Sequence, residues 1–316
     1  MLAALSFGLK TPIDYVDTVY YADNARKMAA MAGGIGKETE RAAYQDLFDK
    51  IKAAFDAKYL KSDGSLTVDN ETAYDLALAM DLIPKELREK SGKILANKLR
   101  AGETAKDSGV TTGFLGTRPL LPVLTSLGDD DLATRIFQSR KFPSWGYEVE
   151  QGATTIWERW NGYTKEYGFE GPDGSQNASM NSFAHYAFGA VGEWMINDLA
   201  GIQAGNPGYA EIVIDPHPPT PESDGEPKPI EWVKARYDSD RGRIESEWRR
   251  EKSKFYLTVT IPPNTTATIY MPAKNAEDIR EGGFSLADAG VRILATNGGR
   301  VVLAAGSGTY HFRSRL

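Results

Sequence analysis

The hydrophobic positions of this chain change their spacing near residue 200. Before that point they recur every three or four residues, which is the period of helices packed on a core. After it, short alternating runs rich in β-branched residues are separated by turns that contain Pro and Gly, a pattern typical of antiparallel strands. The pattern predicts a helical domain over residues 1–203 and a β-sandwich domain over residues 204–316.

Within the helical part, apolar helices alternate with helices that carry a single apolar stripe. The apolar helices are predicted at 11–32, 71–82, 113–127 and 181–200, and the amphipathic ones at 37–57, 85–100 and 129–140. This alternation favours an α/α toroid, whose inner helices are buried on most sides and whose outer helices are buried on one. An irregular helical domain is the alternative. With a short helix over Thr154–Trp160 the helices still fall short of six hairpins, so we expect an incomplete (α/α)6 barrel.

The remaining runs predict eight strands of an antiparallel β-sandwich. Their turns carry the residues that tight turns favour, such as the Asn and Gly pair at 297–298. The strands are predicted at 209–215, 230–238, 242–252, 254–261, 266–271, 291–297, 300–305 and 308–312.

Composition and charge exclude several classes of partner. A net charge of −6 argues against nucleic acid, and no apolar run is long enough for a membrane span. The absence of cysteine and the wide separation of the three histidines leave no metal site in view, and no cofactor is expected. The apolar start lacks a basic leader, so we predict no signal peptide and favour the cytoplasm.

The candidate chemistry lies in Trp145–Trp194, above all in Trp157-Glu-Arg-Trp160. A carboxylate between aromatic rings is a common way to build a sugar site, because the rings stack on pyranose faces and the carboxylate handles protons. Glu158 is the predicted acid–base residue. The ordinary alternative is a structural Glu paired with Arg159.

The other candidates surround Glu158 in the sequence. Their predicted roles are sugar stacking for the aromatic residues Trp145, Tyr147, Trp157 and Trp160, and a hydroxyl contact for His185, placed one turn inside the last helix. Core packing is the commoner fate of each. A second carboxylate for glycoside hydrolysis has three local candidates, each more commonly a solvated loop charge: Glu148, Glu150 and Asp173.

Six segments occur in the order found in one known family. They include Glu71-Thr-Ala-Tyr-Asp-Leu-Ala-Leu, Thr111-Thr-Gly-Phe-Leu-Gly-Thr, Gly152-Ala-Thr-Thr-Ile-Trp-Glu-Arg-Trp and the run from Met180-Asn-Ser-Phe-Ala-His to Trp194. The other two are Thr11-Pro-Ile-Asp-Tyr-Val and Pro143-Ser-Trp-Gly-Tyr. In these segments the chain resembles the bacterial α-L-rhamnosidases of glycoside hydrolase family 78.

The resemblance implies an (α/α)6 barrel followed by a β-sandwich, and an inverting hydrolase that releases terminal L-rhamnose. It implies that Glu158 is the general base, that His185 contacts the rhamnose, and that aromatic residues near Glu158 line the pocket. Arg159, next to Glu158 in the sequence, is a further predicted substrate-binding residue. It also implies a general acid upstream of the first helix, which we expect this chain to lack. Asn70-Glu71 departs from the Thr-Gln type of pair expected at that place.

Three functional hypotheses follow from the sequence. The first is an active α-L-rhamnosidase acting on a rhamnose-containing glycoside or oligosaccharide, with the acid supplied by Glu148, Glu150 or another chain. The second is a truncated, catalytically weak or inactive chain that binds rhamnosides. The third, compatible with either, is a homo-oligomer that covers apolar inner helices left exposed in an incomplete ring.

Overall fold

The computed structural model describes residues 11–104, 106–169, 181–220 and 227–315. The fold divides the chain into two compact units, Met1–Ala190 and Val191–Leu316. The first unit is helical and the second is made largely of strands. The order of helices followed by strands is as predicted, while the domain boundary between 203 and 204 stays a prediction.

Eight helices are described in the first unit. They are α1 (Ile13–Gly34), α2 (Glu38–Tyr59), α3 (Glu71–Ala79), α4 (Lys85–Gly102), α5 (Phe114–Ser126), α6 (Asp130–Gln138), α7 (Trp145–Gln151) and α8 (Tyr186–Gly189). Consecutive helices pack in pairs, and α3 also packs against α5. Most of α3 is buried, whereas α2 and α4 each bury one stripe. The predicted alternation of inner and outer helices is therefore confirmed for these elements.

Helix α1 departs from its prediction. It was expected to be buried on more than one side, but Tyr21 and Met31 are 56% and 57% exposed. The buried side chains instead form one face that includes Tyr15 and Val19, and Tyr15 packs edge to face on Phe55 of α2. Thr11 does not cap the helix, because its hydroxyl donates to the side-chain oxygen of Asn70 at 3.1 Å.

Two predicted helical segments are wrong in a way that matters for function. Residues 154–160 form no helix, and the last helix of the first unit begins at Tyr186 rather than near Asn181. The physical reason is that these two segments bond to each other. The amide of Glu158 donates to the Ser182 carbonyl at 2.8 Å, and the amide of His185 donates to the Ile156 carbonyl at 2.9 Å.

The second unit opens with a short helix, α9 (Val191–Trp194), and a π-helical turn at Met195–Leu199. The described strands that follow are β1 (Ile202–Ala204), β2 (Glu211–Ile214), β3 (Trp232–Ser239), β4 (Gly242–Glu251), β5 (Lys254–Ile261), β6 (Thr266–Pro272), β7 (Arg280–Glu281), β8 (Arg292–Asn297), β9 (Arg300–Ala305) and β10 (Gly308–Arg315). They form two five-stranded sheets, in the orders β1-β2-β6-β9-β8 and β3-β4-β5-β10-β7.

All eight predicted strands are present in this unit, and the prediction missed only β1 and β7 among the described strands. The alternation is clearest in β5, where Phe255, Leu257, Val259 and Ile261 are buried and the residues between them are half-buried or exposed. One expectation needs correction, because β2 pairs with β6 in parallel while the other described strand pairs are antiparallel. Across the described ranges, no helix has the length and apolarity that a membrane span requires.

Candidate active site

Glu158 is held by a reciprocal pair of hydrogen bonds to Ser182. Its amide donates to the Ser182 carbonyl, and its carboxylate Oε2 accepts from the Ser182 amide at 2.7 Å. The side chain is half-buried. An ion pair with Arg159, the ordinary structural alternative, is not among the described contacts of this carboxylate. The arrangement orients a carboxylate through backbone bonds and leaves its other oxygen, Oε1, for a ligand or water.

Helix α7 and its two ends set the path of the chain into Glu158. Ser144 caps the helix, because its hydroxyl accepts from the Tyr147 amide at 3.0 Å. Gly152 ends it in the left-handed conformation at φ 102°, which side chains other than that of Gly rarely adopt. The Ala153 amide then donates to the carbonyl of Glu148 at 3.0 Å. The chain thus turns sharply after α7 and runs back along it toward Glu158.

Glu148 lies beneath this turn with only 1% of its surface exposed. Its Oε2 accepts a long hydrogen bond from the Trp157 amide at 3.4 Å, and its Oε1 is buried without a partner. Burial raises the pKa of the Glu148 carboxyl to about 8, with the Trp157 amide acting weakly in the opposite direction. Glu148 is therefore a neutral, buried carboxylic acid at pH 7. Its carboxyl bonds to the amide of Trp157, the residue before Glu158.

The other two carboxylates proposed from the sequence are placed differently. Glu150 is exposed and forms an ion pair with Arg140 at 2.6 Å. Asp173 lies outside the described residues. Of the two described candidates, Glu148 has the environment that keeps a carboxyl protonated near neutral pH, and its burial keeps that proton away from solvent.

His185 lies at the start of α8 rather than within a helix. Its Nδ1 accepts from the Ala187 amide at 3.3 Å, so Nε2 is the nitrogen that can donate to a ligand hydroxyl. The ring stacks on Phe114, at 4.9 Å between centroids, and on Tyr186, at 5.1 Å. Because His185 and Glu158 lie on the two hydrogen-bonded segments, the fold brings these two predicted site residues onto adjacent segments of the chain.

The three tryptophans of the prediction are mostly buried. Trp160 stacks on Phe188 at 3.8 Å between ring centroids and meets the edge of Trp145 at 5.2 Å. Trp145 donates from Nε1 to the Phe188 carbonyl at 3.0 Å. Trp157 is 4% exposed and packs edge to face on Phe183 at 5.4 Å. These contacts give the rings a structural role, and their contact with sugar stays a prediction.

Tyr147 and Arg159 are half-buried. Tyr147 packs edge to face on Phe142 at 5.1 Å, and burial raises the pKa of its phenol. The carbonyl of Arg159 accepts from the Gly162 amide at 3.0 Å, which closes the turn after Trp160. A role for either side chain in binding also stays a prediction.

Two residues of this site were not predicted individually. Ser182 acts through its backbone groups, and the residue type does not reveal such contacts. Phe114 supports His185 from the start of α5, seventy-one positions earlier in the numbering. Both belong to segments that the family resemblance quoted, so the segments were informative although the contacts were not. Among the residues that the structure describes, no group of three or more His, Asp or Glu side chains could hold a metal.

Comparison with known families and proteins relates the chain to the bacterial alpha-L-rhamnosidases. Residues 4–199 match the model of the bacterial alpha-L-rhamnosidase 6 hairpin glycosidase domain. Residues 201–284 match that of the bacterial alpha-L-rhamnosidase C-terminal domain. An alpha-L-rhamnosidase of Streptomyces avermitilis is 40% identical over 297 residues, which cover 93% of this chain and 27% of that protein. One from Formosa agariphila is 33% identical over 302 residues, covering 95% of this chain and 31% of that protein.

Solved structures show the same likeness. The crystal structure of the Streptomyces avermitilis alpha-L-rhamnosidase complexed with L-rhamnose superposes with a TM-score of 0.83 at 37% identity, covering 97% of this chain and 27% of that one. The alpha-L-rhamnosidase from Dictyoglomus thermophilum gives 0.78 at 29% identity, covering 94% of this chain and 31% of that one.

The chain thus spans between about a quarter and a third of the length of these relatives. Within that span the likeness is continuous. The match to the six-hairpin model covers more than half of the chain, and the match to the C-terminal model follows it directly. This chain belongs to the bacterial α-L-rhamnosidase family.

Proposed function

We propose that this chain takes part in hydrolysis of terminal α-L-rhamnosides, with Glu158 as the general base of an inverting mechanism. The observation that carries the proposal is the bonded pairing of residues 156–158 with 182–185. It puts an oriented carboxylate and a histidine Nε2 donor on adjacent segments. The names of the relatives support the sugar, since they are α-L-rhamnosidases that match most of this chain.

In the proposed mechanism each residue has a separate task. Glu158 takes a proton from a water molecule, which attacks the anomeric carbon on the face opposite the leaving group. The Ser182 amide holds the Glu158 carboxylate in position, and His185 donates from Nε2 to a rhamnose hydroxyl. Five further side chains surround the sugar in this mechanism and supply its apolar and polar contacts: Trp145, Tyr147, Trp157, Trp160 and Arg159.

The leaving oxygen also needs a proton, unless the leaving group is already a good one. Neither local candidate is well placed to supply it, because Glu148 is buried and Glu150 is exposed and paired with Arg140. This observation favours a second candidate function for the 316-residue chain: a rhamnoside-binding protein with little turnover of ordinary glycosides. Aryl rhamnosides, whose leaving groups need little acid assistance, distinguish the two functions.

The test is hydrolysis of 4-nitrophenyl α-L-rhamnoside and of a rhamnosyl flavonoid by the wild type, Glu158→Gln and Glu166→Gln. Glu158→Gln removes the base and is expected to lower kcat by about 10³-fold. Glu166 is an exposed carboxylate eight positions further on, and its substitution serves as the matched control that keeps wild-type rates.

Proton NMR of the first released sugar reads the stereochemistry, and inversion gives the β-anomer. Near wild-type turnover by Glu158→Gln would remove Glu158 from the mechanism. If the wild type hydrolyses only the aryl substrate, the result would support Glu158 as the general base and would indicate that no general acid protonates the leaving oxygen. Binding of rhamnose without turnover of either substrate would favour the second function.

A further inference from the structure

The outer face of the sheet β3-β4-β5-β10-β7 carries its charges in two different arrangements. On β3 and β4, basic residues lie opposite acidic ones. Lys234 lies opposite Glu247, with 2.9 Å between nitrogen and oxygen, and Arg243 lies opposite Asp238, also at 2.9 Å. Opposite charges placed directly across from each other stabilise a sheet, so the charges on this half of the face balance one another.

The other half of this face, on β5, β10 and β7, places like charges opposite each other. Lys254 lies opposite Arg315, and Arg280 lies opposite Arg313. Arg280 is half-buried and the other three side chains are exposed. Like charges directly opposite each other destabilise a sheet. We call these four residues the basic cluster.

The acidic residue nearest to the basic cluster in the sheet register already has a partner. Glu251 lies opposite Lys254 on the β4 side, and its carboxylate pairs with the Arg249 guanidinium. The described ion pairs of this face therefore lie on β3 and β4. A bound anion would supply the basic cluster with a counter-charge and would relieve the repulsion between its opposite cations.

One row of side chains connects the basic cluster to two aromatic rings. Across the five strands this outer row consists of Trp232, Arg249, Tyr256, Arg313 and Arg280. Four strand spacings make it about 19 Å long. Trp232 is 68% exposed at one end, and the Arg249 guanidinium lies 4.0 Å from the centroid of the Tyr256 ring. The outer row thus combines ring surface and cations along one line.

This combination indicates the class of ligand. An arginine guanidinium can bond a carboxylate through two parallel hydrogen bonds, and an exposed aromatic ring stacks on the apolar face of a pyranose. A long, exposed row suits a polymer better than a small anion. A polysaccharide of uronic acids carries both the carboxylates and the pyranose faces. Nucleic acid also combines charges with rings, but the net charge of −6 on the chain opposes it.

We propose that the outer row and the basic cluster form a binding site for a polyuronate, an acidic polysaccharide whose sugars carry carboxylates. A pyranose ring packs on Trp232. The carboxylates of the polymer bond to Arg313 and Arg280, and further ones bond to Arg315 and Lys254. The site belongs to the second unit, and it binds its ligand without any contribution from Glu158.

The first test measures binding of the wild-type chain by calorimetry. The probes are alginate, which is a polyuronate, dextran sulfate, neutral dextran and a single-stranded DNA oligonucleotide. We expect alginate to bind more tightly than the other three, and neutral dextran to show no binding. Because the contacts involve exposed charges, the affinity for alginate is expected to fall as the salt concentration rises.

The second test compares two double variants that each remove two positive charges from the same sheet face. Arg313→Gln with Arg315→Gln is expected to weaken alginate binding at least about tenfold, because hydrogen bonds to charged groups are lost. Lys234→Gln with Arg243→Gln is the matched control, since both of its cations are paired with acids. It is expected to keep the affinity within about twofold.

Trp232→Ala tests the aromatic end of the outer row. It is expected to weaken alginate binding several-fold, the worth of one aromatic contact. Circular dichroism checks the fold of every variant. If the variant that combines Arg313→Gln and Arg315→Gln proves unfolded, Trp232→Ala and the comparison of probes on the wild type still decide the proposal.

Three outcomes would overturn the polyuronate site. The first is a wild type that does not bind alginate at low salt. The second is equal weakening by the two double variants, which would indicate general attraction of charge rather than a site. The third is tighter binding of dextran sulfate or DNA than of alginate, which would identify a different polyanion. These measurements need no turnover, so failure of rhamnoside hydrolysis would leave the site in place.

Discussion

At the scale of single residues, the carboxyl of Glu148 shows how the fold changes the chemistry of a side chain. In the unfolded chain it titrates near 4.5, and in the folded chain burial moves its pKa to about 8. Between these values the unfolded chain releases the proton and the folded chain keeps it. The contribution of Glu148 to stability is therefore most favourable below pH 4.5, falls as the pH rises to about 8, and is constant above that.

Glu148→Gln is expected to remove this dependence, because glutamine is neutral at every pH and its oxygen can accept from the Trp157 amide. At pH 7 the variant should be more stable than the wild type by up to about 3 kcal/mol, at 1.36 kcal/mol for each pKa unit between 4.5 and 7. Denaturant unfolding at pH 4, 5.5, 7 and 8.5 measures the difference between the two proteins.

Glu150→Gln is the matched control for this experiment. Glu150 lies two positions further along α7, is exposed, and pairs with Arg140 on the surface. Its substitution should change the unfolding free energy by less than about 0.5 kcal/mol, with little dependence on pH. A difference between wild type and Glu148→Gln that stays constant from pH 4 to 8.5 would contradict burial of the neutral acid.

At the scale of elements, the turn after α7 determines where Glu158 lies. Gly152 stops the helix in the left-handed conformation, and an added Cβ there would meet open space, so the whole cost of Gly152→Ala is backbone strain. We expect a loss of about 1 kcal/mol in stability and a larger proportional loss of activity, because the displaced turn leads directly into the Glu158 segment.

Gly34→Ala is the control for this element. Gly34 is exposed at the end of α1, in helical conformation and with open space around it, so alanine should be neutral or slightly stabilising. Thermal unfolding and rhamnoside hydrolysis are measured for both variants. Equal stability of Gly152→Ala and Gly34→Ala would show that the turn tolerates an ordinary residue.

At the scale of the whole molecule, the exposed apolar side chains of α1 bear on self-association. Tyr21, Met31 and Ile35 are each more than half exposed, and Met28 is 38% exposed beside them. Apolar groups clustered on one helix face favour association. The prediction of a homo-oligomer therefore stands as a proposal, with this face of α1 as the surface that would mediate it.

Light scattering at several protein concentrations tests the oligomer. The wild type is expected to exceed the monomer mass, and the double substitution Tyr21→Glu and Met31→Glu is expected to return it to the monomer. Gln45→Glu, an exposed polar position on α2, is the control that adds charge away from this face. A wild type that remains monomeric at all concentrations would contradict the proposal.

Most of the fold could be predicted from the sequence because its signals are local. Apolar spacing located α1 to α6 within a few residues, and it placed β5 and β9 at their observed bounds. The helix predicted over residues 154–160 failed for the opposite reason. The backbone groups of this segment bond to residues 182–185, and that pairing cannot be predicted from the sequence of either segment alone.

The properties of the candidate site also divide into those set by the sequence and those set by the tertiary structure. By itself the sequence determined the family, the order of helices and strands, and the residue types available for chemistry, because spacing and motifs depend only on neighbours along the chain. Tertiary structure alone decided that Glu158 bonds to Ser182, that His185 caps α8, and that Glu148 is buried. Those properties depend on distances between segments, and folding sets such distances by packing and desolvation acting over the whole unit.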